Sequence, residues 1–590
     1  MKSYINKFFL GAALVASLGM TSCVGDLDQL PKDQNVKTAD QFKADPKMYL
    51  GGLMGKCYSG IAISGQGGAG ESDISGLDNG RSCWSRAIFM LNEFTTDECN
   101  WIWKDSGIFD LCTDTWSSNN ENIFGTYSRL YCHIAVCNDF IKFVRNAEST
   151  YGITFDAETR EIADQLVREA RALRDLSYFY VIDLYGNAAY CWDTQLTGEE
   201  PPQMQRADLY NAVVSDLEEI LPDFKDSNIY GRIGKDAVEA LLAKFYLNAE
   251  VFTGKAEWQK CWTACENIIK RHQGGGFQNS GLATDYLSLF CGNNDMFAPG
   301  GSLPAQNEIL WNIPYNYQIR FIDDNGKEQV ADCTQSYGGT TFLILGAISD
   351  QNAATPGFYG INGQWTCMHA RPEFSEKFDF SGGVSQDGRA ALWLTENDGF
   401  SIANTEFTTY KDGYVPIKFT NVQCNADGTM PLWADPETGL TRAGVHDLDN
   451  DNNYGVNANA TFADADLPVI RLAEIYLTAA EAHLRGGVGN ASDALNYVNI
   501  VRQRAGVTGW NNAEFTLANI LDERARELYW ENNRRTDLVR FGMFTGTNYN
   551  WSWKNNVSTG AGIPAHMNVF PIPTSVINSY RGPYIQNPGY

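Results

Sequence analysis

The chain has 590 residues, 44% of them hydrophobic, enough to bury several cooperating layers or one large repeat-built domain. Acids outnumber bases 71 to 45, and a formal charge of −26 argues against nucleic acid or an anionic surface as partner and for a neutral ligand. The 14 cysteines include no CxxC pair and no Cys/His spacing suited to zinc, so most read as small buried apolar residues.

Residues 1–22 read as an export signal outside the fold. Lys2 and Lys7 form a basic start, Phe8 to Met20 is apolar but too short to span a bilayer, and Thr21 and Ser22 lead into Cys23. Small residues followed at once by cysteine resemble a bacterial lipobox, which makes Cys23 the acylated start of a tethered mature chain, residues 23–590, taken as a single domain. Loss of the two lysines moves the formal charge to −28.

Glycine, asparagine and aromatics mark a loop-rich region of about 59–110. Its GQGGAG, Gly65 to Gly70, formally matches a dinucleotide fingerprint, but no apolar helix follows to receive a phosphate. In TTDECNWIWKD, Thr95 to Asp105, Trp101 and Trp103 point the same way if the segment is extended, and taken alone they read as buried anchors rather than an exposed platform.

Helical periodicity then dominates about 155–272. Ile162, Leu166, Ala170 and Leu173 recur at three and four, Leu209, Val213 and Leu217 likewise, and Gly254 ends a helix that starts near Lys235. Between about 274 and 466 helix formers give way to Gly, Asn, Asp and aromatics, a second loop-rich region and a place to expect ligand binding. There Tyr337 and Trp365 sit beside glycines, which bring backbone close to a ligand. The acidic DLDNDNNYG, Asp447 to Gly455, lacks the glycine turn and closing glutamate of a calcium loop and reads as a solvated turn.

A second helical block covers about 467–545. AEIYLTA, Ala473 to Ala479, repeats the A-x-[FI]-Y-L-x-A of AKFYLNA, Ala243 to Ala249, and each opens a helix pair near the 34 residues of a tetratricopeptide unit. A third helix, about Ile520 to Phe541, carries the charge run ERARELYWENNRRTDLVRF, expected to be a solvated, self-paired face. The fold class is therefore mostly α, a tetratricopeptide-like helical-repeat scaffold bearing two loop-rich regions.

No GxSxG, HExxH or Walker lysine occurs. A glycoside hydrolase stays open, because its two carboxylates need only be near in space; Asp97 and Glu98 are nearest the tryptophans, although adjacent residues face apart.

RLAEIYLTAAEA, RELYWENNRRTDLVRFGMF and the closing PIPTSVINSYRGPYIQNPGY, with the lipobox and repeats, resemble the SusD/RagB family of Bacteroidetes outer-membrane lipoproteins. NEFTTDECNWIW, SYGGTTF and NGQWTC are similar to segments of its starch-binding member. The resemblance implies that Trp103, Tyr337 and Trp365 form an aromatic arc for an α-1,4-glucan, with Arg86 and Asp78 as polar contacts and Ser106 where an asparagine stands in that member. It implies calcium held by Asp295, Asp464 and Asp466, no catalysis, an outward-facing outer-membrane location, and a TonB-dependent transporter of the SusC type as partner. A different glycan is the alternative within the family.

Overall fold

The computed structural model describes residues 39–590 apart from 66–70, 79, 197, 227–228, 317, 323–326, 333–336, 348–359, 362, 364, 404–405, 435–440 and 444–460. Cys23, the whole of Asp447–Gly455 and all of Gly65–Gly70 but Gly65 lie outside those residues.

Helices carry the chain and pack side by side. Helix α1, Pro46–Ala62, starts with Pro46 in its first turn and with the Asp45 carboxylate accepting from Met48 N. Helix α3, Glu121–Arg145, precedes the first block expected from sequence, yet Ile123, Tyr127, Leu130, Ile134, Cys137, Ile141 and Val144 recur at three and four and are all buried. Helix α4, Ala157–Tyr185, is capped by Asp156 and buries nearly all of its last half.

The repeat helices stack as expected. Helix α5, Lys235–Thr253, ends where Gly254 takes a left-handed φ of 75°, and it packs on α6, Trp258–His272. Helix α6 in turn lies against α8, Leu472–Gly486, which pairs with α9, Ala491–Arg504. Both copies of the repeated motif are buried throughout, their alanines letting the helices close up. At the seam Gly489, with φ 71°, meets the Trp262 ring so closely that a Cβ would collide with it. The stack thus joins two blocks separated by about 200 residues of chain. Among the described residues no helix is long and apolar enough to cross a membrane.

Two expectations fail. The charge run is not one helix but two, α10, Leu517–Leu528, and α11, Arg534–Arg540, broken where Trp530 and Asn532 adopt φ of 61° and 62°. Nor is it a solvated face. Arg471 bridges Glu308 (2.7 Å), Glu527 (3.0 Å) and Glu531 (2.6 Å); Arg540 holds Glu481 (2.7 Å) and Asp537 (2.6 Å), all with buried side chains. The charges find partners on other elements, which desolvation makes obligatory. The loop-rich stretches also contain helices: α2, Trp84–Asn92, and α7, Gly339–Ala347, are buried at every position, and α7 is too uniformly apolar to carry an amphipathic signal.

Candidate functional site

Three segments meet above α2 and α7. The first is 100–103, where the two-residue strand β1, Asn100–Trp101, pairs antiparallel with β2, Met368–His369, matching Asn100 to His369 and Trp101 to Met368. The second is 337–339, whose turn into α7 needs Gly339: its φ is 55°, a Cβ there would collide with the Tyr315 ring, and its N–H donates to Ser85 Oγ at 3.0 Å. The third is 365–367. Trp365 N donates to Leu345 O (2.7 Å), Cys367 N to Gly346 O (3.0 Å), and Ile102 N to Cys367 O (2.9 Å). Each ring-bearing segment is therefore tied by backbone hydrogen bonds to a buried element.

Trp101 and Trp103 divide the work. Trp101 is 4% exposed and belongs to the core, whereas Trp103 is 43% exposed, so the expectation of a buried pair holds for the first only. The last bond to the facing strand is that of Ile102 N, and the chain bends at Trp103. Their rings stay in edge-to-face contact, 5.5 Å apart at 80°. Trp365 lies 6.5 Å from Trp101 and 5.8 Å from Tyr337, tilted by 69° and 48°. Tyr337 and Trp365 are half-buried. The structure thus brings Trp103, Trp365 and Tyr337 to one place, with Trp101 the link between the first two.

Sequence reasoning missed what lies beneath. Phe342 is buried, stacks on Trp101 at 6.0 Å and touches Trp365 at 6.2 Å. It is the last residue of SYGGTTF, at α-helical distance from the Tyr337 turn, and was the available signal. Phe462 backs Tyr337 at 5.3 Å.

Arg86 is not an open fork. Buried on α2, it lies 4.4 Å over Phe342 and 5.4 Å over Trp365, and one terminal nitrogen donates to Tyr337 O at 3.1 Å. Its Nε is buried without a partner. Burial lowers its pKa to about 10, with Asp78 opposing, so it stays a cation at neutral pH. Asp78 is half-exposed, and its two oxygens accept from Arg81 N and Arg81 Nε, both at 2.8 Å. Burial would raise its pKa; those bonds and the Arg86 charge leave it lowered. Arg81, absent from the sequence reading, also reaches the Ser106 carbonyl at 3.5 Å. Ser106 itself is exposed.

Asp97 and Glu98 do not flank the rings. Asp97 is buried in a two-pronged pair with Arg534 (2.7 and 2.8 Å) and accepts from Tyr549 Oη at 2.6 Å. Burial pushes its pKa up, but Arg534 more than offsets this and holds it at about 2. Glu98 accepts from Trp530 N at 2.9 Å, and burial raises its pKa to about 7.

The expected calcium ligands converge near Tyr230 without forming a metal centre. Asp466 accepts from Tyr230 Oη (2.6 Å), Asn312 Nδ2 (2.6 Å) and Tyr315 N (2.8 Å), so both its oxygens already face donors. Burial raises its pKa to about 7. Asp464 N donates to Asn421 Oδ1, and Asp295 is exposed. Among the described residues no group of three or more His, Cys, Asp or Glu side chains is disposed to hold a metal ion, and Asp466 is the member of the trio that would have to exchange a protein donor for one.

A model of the SusD family matches residues 401–590. Among solved structures, surface glycan-binding protein A from Bacteroides thetaiotaomicron, in complex with laminarihexaose, aligns with a TM-score of 0.60 at 19% identity, covering 92% of this chain and 99% of that one. A SusD-like carbohydrate-binding protein from Bacteroides fragilis aligns with a TM-score of 0.60 at 18% identity, over 91% and 99%; at such identities the likeness shows the fold alone. The starch-binding protein SusD of Bacteroides thetaiotaomicron is 32% identical over the whole of both chains. A likeness of that extent establishes that the chain belongs to the SusD family.

Proposed function

We propose that the protein binds α-1,4-glucan of the starch type, without cleaving it, on the surface made by Trp103, Trp365 and Tyr337. The observation that carries this reading is the mutual tilt of the rings, 80°, 69° and 48° along the series from Trp103 through Trp101 and Trp365 to Tyr337. A neutral glucan offers C–H faces and hydroxyl edges, and rings set at such angles follow a bent chain better than a flat one. The acidic, uncharged-ligand-favouring composition and the starch-binding relative support the same reading.

Arg86 holds the rings from below through Tyr337 O and the Phe342 and Trp365 faces; Asp78 accepts from a hydroxyl while Arg81 fixes its orientation. Water competes for the half-exposed Asp78 carboxylate, so affinity per site is expected at about 10 μM to 1 mM. Tight capture of polymer comes from many tethered copies on one cell surface. The proposal extends to an outward-facing, lipid-anchored protein at Cys23 that passes oligosaccharide to a TonB-dependent transporter of the SusC type. Cleavage is disfavoured because Asp97 and Glu98, the acids nearest the tryptophans in sequence, are buried and already bonded.

Calorimetric titration with maltoheptaose, laminarihexaose and cellohexaose tests the ligand. Maltoheptaose should bind tightest and be recovered uncut; a preference for cellohexaose overturns the reading. In an amylopectin gel, Trp103→Ala with Trp365→Ala should abolish retardation. A structural calcium ion at Asp295, Asp464 and Asp466 is a separate proposal, resting on the resemblance and requiring Asp466 to give up a donor. A melting temperature raised by calcium chloride in chelator-treated protein supports it, and an unchanged one refutes it.

A further inference from the structure

Beside the ring surface lies a concavity of about 220 Å3, walled by three stretches remote in sequence and lined in part by Trp101, Lys104, Phe109, Glu406, Phe407 and Trp553. Trp101 belongs to both places. Its buried ring lies between them, lining this concavity on one side and touching Trp103 and Trp365 on the other, and Lys104, the residue after Trp103, lines the concavity too.

Its walls are built. The short helix Ile108–Cys112 carries Phe109, which is 39% exposed in spite of its size. Trp553 sits in a turn with a left-handed φ of 69°, and that turn is fastened across the concavity's rim where Asn556 N donates to Thr113 O at 3.0 Å. Phe407 also takes a positive φ, 48°, with the Arg371 guanidinium 5.7 Å over its ring. Bulky residues rarely adopt such backbone, and where surrounding structure imposes it the strain commonly serves a binding role. Lys104 and Glu406 are exposed lining residues and supply a donor and an acceptor of opposite charge.

Aromatic walls, a few polar groups and no net charge suit an uncharged hexopyranosyl unit, and the volume suits one ring rather than a passing chain. We infer that this concavity is an additional subsite that receives the terminal sugar of a glucan running past Trp103. The protein then reads chain length as well as bend. The inference rests on the glucan-binding function proposed above.

The test compares maltotriose with maltodextrins of seven and more units by calorimetry. In the unaltered protein affinity should rise with length beyond what the ring surface can cover. Phe109→Ala, checked for an unchanged melting temperature, should lower the ratio of long-chain to short-chain affinity by about three- to tenfold, and Phe109→Tyr should restore it. Trp103→Ala should instead weaken both lengths. An unchanged ratio in Phe109→Ala, or no gain with length in the unaltered protein, overturns the subsite and leaves the ring surface standing. No binding of any α-glucan overturns both.

Discussion

Phe342 makes one flank of the ring surface rigid while never reaching solvent. It lies against Trp101, Trp365, Phe89 and the Arg86 guanidinium, so truncation opens a cavity under the whole cluster. Phe342→Ala should lower stability by about 3–5 kcal/mol in urea denaturation and should weaken maltoheptaose binding as well, whereas Trp103→Ala should leave stability within about 0.5 kcal/mol because its ring is largely at the surface. His369 adds a pH dependence. On β2 it pairs with Asn100 of β1, its Nδ1 is buried without a partner, and burial draws its pKa down to about 4. A histidine held neutral in the fold contributes stability that is full above the unfolded value of about 6.5 and lost as pH falls towards 4, at about 1.4 kcal/mol per pH unit. Stability profiles of the unaltered protein and His369→Gln should therefore converge between pH 6.5 and 4. Parallel profiles would refute the assignment.

At the scale of elements, the charged helices α10 and α11 act as a buried clamp. Arg534 on α11 fixes Asp97, four residues before Trp101, so a repeat helix is tied to the segment that bears the rings. Arg534→Ala strands a buried carboxylate and should cost about 3–5 kcal/mol, while Arg534→Met with Asp97→Leu should recover most of that loss. Because Asp97 is held at about 2, the pair's contribution is full above the unfolded carboxyl value of about 3.9 and disappears as pH drops through 4 to 2. The charge run was plain in the sequence, but its burial was not. Alternating signs at helical spacing satisfy one another in water as readily as they satisfy distant partners, and only the packing of other elements over the run removes the water.

At the scale of the molecule, Glu308 from the central loop-rich region accepts from Arg471 and Arg504, both 2.7 Å away, at the start and end of the second helical block's first pair. Helix α6 of the first block packs on α8 of the second. Blocks and loop region share buried charges and one core, so calorimetric unfolding should show a single transition with matching van't Hoff and calorimetric enthalpies. Two resolved transitions would show that the blocks fold separately. The repeat helices were legible because their alanines and aromatics recur at three and four. Helix α7 was not, since an element buried on every face has no polar side to set a period.

By itself the sequence determined the helical repeats, the glycine stop at Gly254, and the segments from which Trp103, Tyr337 and Trp365 come. Those features are local: side chains three and four apart meet on one helix whatever the rest of the chain does. Only the tertiary structure decided that Trp101 goes under and Trp103 stays out, that Arg86 lies beneath the rings, and that Arg534 meets Asp97 across 437 residues. Burial and charge pairing depend on which surfaces the closed chain brings together, and no periodicity records that.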